Sequence, residues 1–246
     1  MDFDAVSELA LRFRAELATR KQEIDPDFPW YPYDTMSNIV HLRGLLTGDN
    51  RDIFGAVKGK HIADIGCADG DFGFFLEQEL GCTVDLVDYA PTNYNGLRAA
   101  DRIRKSLDSG ARVVDVDLDS QFTLPADRYD VVFFMGLLYH LKNPYYALEH
   151  LAKRAEYCFL STRIAELSPD HATTLRDLPL AYLVGPDETN GDATNFWIFS
   201  DQGLRRLLSR TGWDIVDYTT VGRTSGSDPS TPDRDERAFC LLRSRH

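Results

Sequence analysis

A glycine-rich turn with acidic residues on both sides is the segment of this chain best suited to bind a ligand. It reads Ala63-Asp-Ile-Gly-Cys-Ala-Asp-Gly-Asp-Phe-Gly73, after a run typical of a buried strand and before one typical of a helix. Glycine at 66 and 70 permits a tight turn and lets a ligand contact the backbone. A strand, a glycine turn and a helix in this order can form a nucleotide site, and such glycines can equally be structural.

Carboxylates near the ends of the first two predicted strands favour ligand binding. Asp88 closes the second strand, about 20 residues beyond the glycine turn, where a carboxylate can accept hydrogen bonds from ribose hydroxyls. Asp64 lies beside the turn at a position expected to be buried. It could contact the same ligand, or it could only cap the loop.

His140 is the side chain best placed for acid–base chemistry. It follows the fourth apolar run, at the edge where open α/β sheets bind ligands, and an imidazole titrates near neutral pH. The neighbouring Tyr139 could contact a cofactor or substrate through its hydroxyl. Alternatively, Tyr139 and His140 only pack their loop against the following helix.

Alternating apolar strands and amphipathic helices must position these residues. The pattern predicts strands at 61–65, 83–87, 112–116, 130–135 and 157–162, and helices at 72–80, 93–107 and 144–155. Parallel strands need crossover helices, which cover both faces of the sheet. The sequence therefore predicts an α/β fold with a Rossmann-like, mostly parallel sheet and helices on both faces.

The chain after residue 164 departs from this alternation. An irregular polar insert at 165–199 is the expected specificity element, because such loops vary while the sheet holds them. Ser200 caps a further helix, and two more strands are expected at 214–220 and 238–242. Between these strands, Gly222–Arg237 is predicted to be a long mobile hairpin loop whose acidic run, Asp228–Glu236, is solvated.

The N-terminal residues predict a helical cover. Apolar residues recur at three- and four-residue steps over 1–24, and a Pro-containing segment ends this helix. A group of aromatic residues follows: Trp30, Tyr31 and Tyr33. Aromatic faces could attract a cationic ligand, or they could staple the helix to the sheet. We expect a helical cap or lid at 1–50 and a main domain at 51–246.

The acidic composition disfavours several classes of partner. The chain has 39 Asp and Glu against 27 Lys and Arg, a formal charge of −12, and 43% apolar residues. Such a surface repels phosphate backbones and anionic lipid, which disfavours nucleic-acid binding and membrane docking. With no signal-peptide pattern and no run long enough to span a bilayer, the chain is predicted to be cytoplasmic and to act on a small molecule.

The cysteines and histidines predict neither disulfides nor a metal site. The four cysteines, at 67, 82, 158 and 240, lie in apolar runs and form no C-x-x-C pair. They are expected to be buried free thiols in a reducing compartment. The histidines do not have ligand spacing.

Four motifs in order resemble those of the class I S-adenosylmethionine-dependent methyltransferases: Ile62–Leu76, Leu86–Asp88, Val116–Leu118 and Tyr129–Leu141. The resemblance extends over about residues 40–245. It implies a seven-stranded sheet with a reversed last strand, and S-adenosyl-L-methionine as the cofactor.

The resemblance also implies roles for the matching residues. Asp64 would help hold the cofactor's amino group, Asp88 its ribose hydroxyls, and Asp117 the adenine edge. Ala68 stands where the family usually has the middle glycine of the loop. The implied cofactor-binding residues are Asp64, Gly66, Cys67, Ala68, Gly70, Asp88, Tyr89, Asp117, Leu118, Met135 and Gly136.

Two segments, Gly136–Pro144 and Asn195–Ser200, resemble more narrowly the bacterial tRNA wobble-uridine carboxymethyltransferases. Those enzymes use a carboxylated cofactor and hold its carboxylate with an arginine in the loop before the last helix. This chain has Thr194 at that place, whereas Tyr139 matches the family's tyrosine. The missing cation and the acidic charge count against a tRNA substrate, which stays the alternative.

The predicted activity is methyl transfer to a hydroxyl of a small molecule. Transfer from a sulfonium is an in-line displacement, in which the enzyme positions the nucleophile and excludes water. A base is needed when the acceptor is a hydroxyl, which makes His140, with Tyr139 beside it, the catalytic candidate. Nitrogen and carbon acceptors stay open, as does a non-catalytic, regulatory cofactor-binding module.

Further residues are candidates for substrate contact: Trp30, Tyr31, Tyr33, Arg163 and Asn195. Arg163 follows the fifth predicted strand and could equally pair with a carboxylate. The N-terminal helix offers a surface through which two copies of the chain could form a homodimer.

Overall fold

The computed structural model describes residues 3–48 and 57–246. The contacts divide the chain into two compact units. The first runs to Asp117 and also includes Thr123–Phe133, and the second consists of Leu118–Phe122 and Phe134–His246. The predicted boundary near residue 50 falls outside the described residues, so the division into cap and domain stays a prediction.

Four parallel strands form the sheet of the first unit, in the order β3-β2-β1-β4. Their bounds are β1 (His61–Ile65), β2 (Thr83–Asp88), β3 (Arg112–Asp115) and β4 (Tyr129–Met135), whose last two residues belong to the second unit. In register, Asp64 lies opposite Leu86 on one side and Phe133 on the other. The glycine turn and Asp88 therefore lie at the same edge of this sheet.

Among the described residues of the first unit, the α-helices include α1 (Phe3–Ile24), α2 (Ile39–Leu42), α3 (Asp71–Leu80) and α4 (Arg98–Ser106). Helix α1 buries one face at three- and four-residue steps, through Val6, Ala10, Phe13 and Leu17, as its amphipathic pattern predicts. Helix α4 begins at Arg98 rather than at residue 93. The residues before it form a turn, in which Asn93 Oδ1 accepts hydrogen bonds from the backbone of Asn95 and Leu97.

The second unit contains two helices and five strands: α5 (Pro144–Ala152), β5 (Ala155–Ile164), β6 (Ala181–Leu183), β7 (Trp197–Phe199), α6 (Asp201–Arg210), β8 (Trp213–Gly222) and β9 (Glu236–Ser244). Strand β9 is antiparallel to β5 and β8, which is the expected reversed last strand. Strands β6 and β7 form a short antiparallel hairpin within the insert that the sequence predicts to be irregular. The described residues thus contain nine strands rather than seven.

The prediction that the acidic run between β8 and β9 is solvated is wrong for its first and last members. Asp228 and Glu236 are both 0% exposed. Asp228 accepts hydrogen bonds from the backbone of Ser230 and Thr231 and pairs with His171 at 2.9 Å. Charge in this run is buried because hydrogen-bond donors surround it, which composition cannot reveal.

Three findings concern the described residues as a set. None of their helices combines the length and the hydropathy needed to cross a membrane. They contain no cluster of three or more side chains of the metal-ligating types. All four cysteines are buried free thiols.

Candidate active site

The glycine turn after β1 has left-handed backbone at Gly66, Ala68 and Gly70, with φ of 77°, 53° and 86°. Several of its amides are bonded inside the protein. Gly66 and Cys67 donate to Val87 O at 2.8 and 3.2 Å, and Gly70 donates to Cys67 O at 2.7 Å. A phosphate cradle needs such amides to point at the ligand. This turn is therefore not built to hold a pyrophosphate.

Asp88, at the end of β2, is half-buried and accepts three hydrogen bonds. Its Oδ2 accepts from Ala68 N at 2.9 Å and from Asn93 Nδ2 at 3.0 Å, and its Oδ1 from Tyr89 N at 2.8 Å. Burial raises the pKa of Asp88, although these bonds oppose the rise. Each carboxylate oxygen has two lone pairs, so capacity remains for ribose hydroxyls.

Asn93 is a functional candidate that the sequence analysis missed. Its Nδ2 also donates to Ala68 O at 3.2 Å, so it ties the glycine turn to Asp88. Its Oδ1 meanwhile accepts the two backbone bonds that shape the turn before α4. An asparagine in a turn is too common to be singled out without these partners.

Asp64 is 5% exposed and accepts a hydrogen bond from Gly73 N at 3.1 Å. Burial raises the pKa of this carboxyl group to about 7, and the neighbouring charges of Asp88 and Asp71 add to the rise. A Cβ at Gly73 would lie 2.2 Å from Leu86 Cδ2, so only glycine lets α3 approach β2 and Asp64 this closely.

Asp69, within the glycine turn, connects three other segments and was not among the predicted site residues. Its Oδ2 lies 3.1 Å from Lys21 Nζ in α1 and accepts from Tyr31 N at 2.9 Å. Its Oδ1 accepts from Asn95 Nδ2 at 2.8 Å. Lys21 also pairs with Asp71 at 2.8 Å. The N-terminal segment is thereby fixed to the glycine turn through one buried carboxylate.

The three N-terminal aromatic residues differ in their surroundings. Trp30 donates from Nε1 to Asp25 O at 3.0 Å, and Lys21 Nζ lies 5.5 Å from its ring centroid. Tyr31 makes edge contacts with Tyr33 and Tyr94, with ring centroids 5.5 and 6.1 Å apart. Tyr33 and Tyr94 are 73% and 58% exposed. Trp30 therefore packs within the N-terminal segment, Tyr33 and Tyr94 are exposed, and the contact of Trp30, Tyr31 and Tyr33 with substrate stays a prediction.

The remaining predicted cofactor residues lie in both units. Asp117 is half-buried in the first unit, whereas Leu118 is buried in the second. Met135 and Gly136, also of the second unit, are half-buried, and Gly136 N donates to Ser161 O at 2.9 Å. Their roles toward a cofactor stay predictions.

His140 has a defined hydrogen-bond environment in the second unit. Its Nδ1 lies 3.1 Å from Thr194 O and 3.0 Å from Thr194 Oγ1, and that hydroxyl donates to Asp192 Oδ1 at 2.6 Å. A carbonyl oxygen can only accept, so the proton of a neutral imidazole lies on Nδ1 and the lone pair on Nε2. Burial lowers the pKa of His140, although Thr194 and Asp192 oppose this.

Tyr139, Arg163 and Asn195 contact other protein groups of the second unit, among them Arg237, which the sequence analysis did not single out. Arg237 donates from Nη1 to Tyr139 Oη at 3.3 Å, and its Nε bonds Asp235 at 3.0 Å. Arg163 is 3% exposed and lies 3.0 Å from the same Asp235 carboxylate. Asn195 is 5% exposed and donates from Nδ2 to Thr189 O at 3.3 Å. Arg163 and Asn195 thus bond inside the protein, and their contact with substrate stays a prediction.

Comparison with known proteins adds a family model, curated relatives and solved structures. The family model described as a methyltransferase domain matches residues 40–218. The tRNA U34 carboxymethyltransferase of Helicobacter pylori strain G27 is 25% identical over 190 residues, 72% of this chain and 65% of that protein. The enzyme of the same name from Desulfotalea psychrophila is 32% identical over 90 residues, 36% of this chain and 27% of that protein. The chain thus spans less than two thirds of these relatives.

Solved structures share the fold at low identity. The N-terminal domain of EvdMO1 with SAH bound superimposes with a TM-score of 0.59 at 18% identity, over 94% of this chain and 97% of that one. The [4+2]-cyclase SpnF gives a TM-score of 0.57 at 12% identity, over 88% and 86% of the two chains. These likenesses confirm the Rossmann-like α/β fold expected from the sequence.

Proposed function

Because the chain belongs to the S-adenosylmethionine-dependent methyltransferases, we propose that it transfers the cofactor's methyl group to a hydroxyl of a small molecule. The observation that carries this proposal is the contact of His140 Nδ1 with Thr194 O at 3.1 Å. It leaves Nε2 as the acceptor of a proton. A hydroxyl acceptor needs such a base, whereas an amine with a free lone pair does not.

The residues around the glycine turn fit this cofactor. The turn offers carboxylates rather than free amides, which suits an ammonium group and ribose hydroxyls and does not suit phosphates. Asp64 would receive the ammonium group, and Asp88 the ribose hydroxyls. The cofactor supplies a methyl group on a positively charged sulfur. The chain binds it, orients it and excludes water.

His140 would accept the proton of the acceptor hydroxyl at Nε2. Its lowered pKa keeps the imidazole neutral, and therefore able to act as a base, at neutral pH. When His140 has taken up the proton, its ring is a cation. The oxygens of Thr194 beside Nδ1 and the negative charge of Asp192 then stabilise this imidazolium. Thr194, at the place of the relatives' arginine, thus orients the base.

The test compares His140→Gln with the native enzyme on a hydroxyl acceptor found by screening. We expect turnover to fall by about 10²-fold or more, with cofactor affinity from calorimetry unchanged. His150→Gln is the matched control, because that imidazole bonds its own helix through Tyr146 O. Unchanged turnover in His140→Gln would reject the role of the base.

A second candidate is modification of the wobble uridine in tRNA, as the names of the curated relatives suggest. The chain covers only 65% of the length of such a relative, and its net charge of −12 opposes tRNA binding. Mass spectrometry of wobble nucleosides from a deletion strain decides between the two. A changed profile that the native gene restores would support the tRNA substrate.

A further inference from the structure

Ala68 and Leu97 have left-handed backbone although neither is glycine, and one side chain bonds both of them. Ala68, in the glycine turn, has φ of 53°, and Leu97, just before α4, has φ of 65°. Asn93 donates from Nδ2 to Ala68 O at 3.2 Å, and its Oδ1 accepts from Leu97 N at 3.0 Å. For a residue with a Cβ this conformation is disfavoured by about tenfold, so other contacts have to hold it in place.

Hydrogen bonds fix the peptide groups on both sides of Ala68. Its N–H donates to Asp88 Oδ2 at 2.9 Å, and its carbonyl oxygen accepts from Asn93 Nδ2. The same Nδ2 also donates to Asp88 Oδ2, at 3.0 Å. Ala68, Asp88 and Asn93 therefore form a closed set of three contacts, the Asn93 clamp, in which each residue bonds the other two.

The amide of Asn93 has no hydrogen-bonding capacity left for a ligand. A primary amide offers two N–H donors and two acceptor positions on its oxygen. Nδ2 uses its donors on Ala68 and Asp88, and Oδ1 accepts from Asn95 N at 3.1 Å as well as from Leu97 N. Any effect of Asn93 on ligand binding must therefore act through the residues that it bonds.

We propose that Asn93 is a positioning residue for the cofactor, which holds Ala68 left-handed in the glycine turn and fixes the orientation of the Asp88 carboxylate. All three contacts of the clamp join groups of the chain itself, so the turn is ordered before a ligand arrives and binding does not have to supply that ordering. Asn93 thereby lets an alanine serve where a left-handed backbone favours glycine. This inference rests on the proposed function, because it takes the glycine turn as the place of the cofactor.

The experiment is a double-mutant cycle of Asn93→Ala and Ala68→Gly, in which calorimetry measures the affinity of the folded protein for S-adenosylhomocysteine. In the native background, Asn93→Ala should weaken binding about tenfold, because Ala68 is no longer held in the disfavoured conformation. In the Ala68→Gly background the same substitution should cost about threefold or less, since glycine adopts a left-handed backbone readily. Ala68→Gly alone should bind like the native protein, because the clamp is kept. A role in folding stability alone would leave all four affinities equal.

Two further variants complete the cycle. Asn95→Ala is the matched control: Asn95 is 4% exposed in the same turn and donates to Asp69 Oδ1 at 2.8 Å, so its effect on affinity should be the same with alanine or glycine at position 68. Asn93→Asp keeps an acceptor oxygen for the turn before α4 and loses the donor to Ala68 O. It should weaken binding by about tenfold or more, and it replaces Asn93→Ala in the cycle if that variant does not fold.

Two results would overturn the proposal. One is native affinity in the folded Asn93 variants, and the other is a loss of affinity that is equally large with alanine and with glycine at position 68. Asp88→Ala separates these from a failure of the proposed cofactor site. If Asp88→Ala weakens binding while the Asn93 variants do not, only the role of Asn93 is rejected. If Asp88→Ala also keeps native affinity, the cofactor does not bind at this turn, and both proposals fail.

Discussion

Lys21 Nζ lies 3.1 Å from Asp69 Oδ2, so an ion pair joins the first helix to the glycine turn. The side chain of Lys21 is 12% exposed and that of Asp69 only 2%, which makes this pair unlike the exposed pairs of the surface. Burial lowers the pKa of Lys21, but the charges of Asp71 and Asp69 outweigh it and raise the pKa overall. The ammonium group of Lys21 therefore stays charged although the side chain is largely buried.

We predict that Lys21→Met lowers the free energy of unfolding by about 3 kcal/mol, because it leaves Asp69 and Asp71 without their cation. Cofactor affinity should fall as well, since the glycine turn loses a support. Urea unfolding and calorimetry with S-adenosylmethionine measure the two effects. Arg43→Gln is the control: its pair with Asp4 is exposed, at 67% and 69%, and its loss should cost less than about 1 kcal/mol. Equal effects of the two variants would contradict a structural role for the buried pair.

The raised pKa of Asp64 predicts two opposite pH dependences. Its folded-state pKa is about 7 against 3.8 for the ordinary group, so its contribution to stability is complete below 3.8 and lost as pH rises through 7. Without cofactor, the free energy of unfolding should therefore fall over this interval, by up to about 4 kcal/mol. Cofactor affinity should instead rise through pH 7, because the ionised carboxylate attracts the ammonium group.

Asp64→Asn tests both dependences. It should flatten the fall in stability between pH 4 and 7, leaving the variant more stable than the native protein at pH 7, and it should weaken cofactor binding there. Chemical unfolding and calorimetry across this pH range supply the measurements. Asp187→Asn, at an exposed carboxylate, should keep both native profiles. A native slope retained by Asp64→Asn would show that another group causes it.

Local patterns predicted those parts of the fold that depend on periodicity. The face of α1 that buries Val6 and Phe13 and the strand at His61–Ile65 follow from apolar spacing. The hairpin of β6 and β7 was missed because each strand has three residues, too few for a period to be recognised. The buried, hydrogen-bonded position of Asp228 was not predicted, because its partner His171 lies far away in the sequence.

The site was predicted to the extent that single residue types suggest their chemistry. Asp64 and Asp88 stand near or at the ends of strands and His140 follows one, which is the edge of the sheet where position alone points to a ligand. Asp69 and Arg237 were missed because their importance lies in partners such as Lys21 and Tyr139, which are distant along the chain. The sequence analysis treats Thr194 only as the place of a missing arginine, and its contact with His140 is visible only in the structure.

We predict that Asp228→Ala destabilises the protein by about 2 kcal/mol and exposes the loop at 222–237 to proteases. The substitution leaves the half-buried amides of Ser230 and Thr231 without their acceptor. Urea unfolding and limited trypsin digestion, which can cut after Arg223 or Arg234, provide the measurements. Asp233→Ala changes an exposed carboxylate of the same loop and serves as the control. Identical digestion of both variants would rule out Asp228 as the residue that orders the loop.

The charges around His140 predict that two variants shift the pKa of this histidine in opposite directions. Burial holds the pKa of His140 below 6.5, Asp192 raises it and Arg237 lowers it. Asp192→Asn should therefore lower the pKa of His140 further, and Arg237→Gln should raise it. NMR titration of the labelled imidazole measures both without any acceptor.

Arg223→Gln should leave the titration unchanged, because the influences on the pKa of His140 do not include Arg223. If both variants shifted the pKa in the same direction, the imidazole would be responding to a structural change rather than to these charges. If His140 is the base, the acidic limb of the turnover–pH profile must move with the titration in each variant.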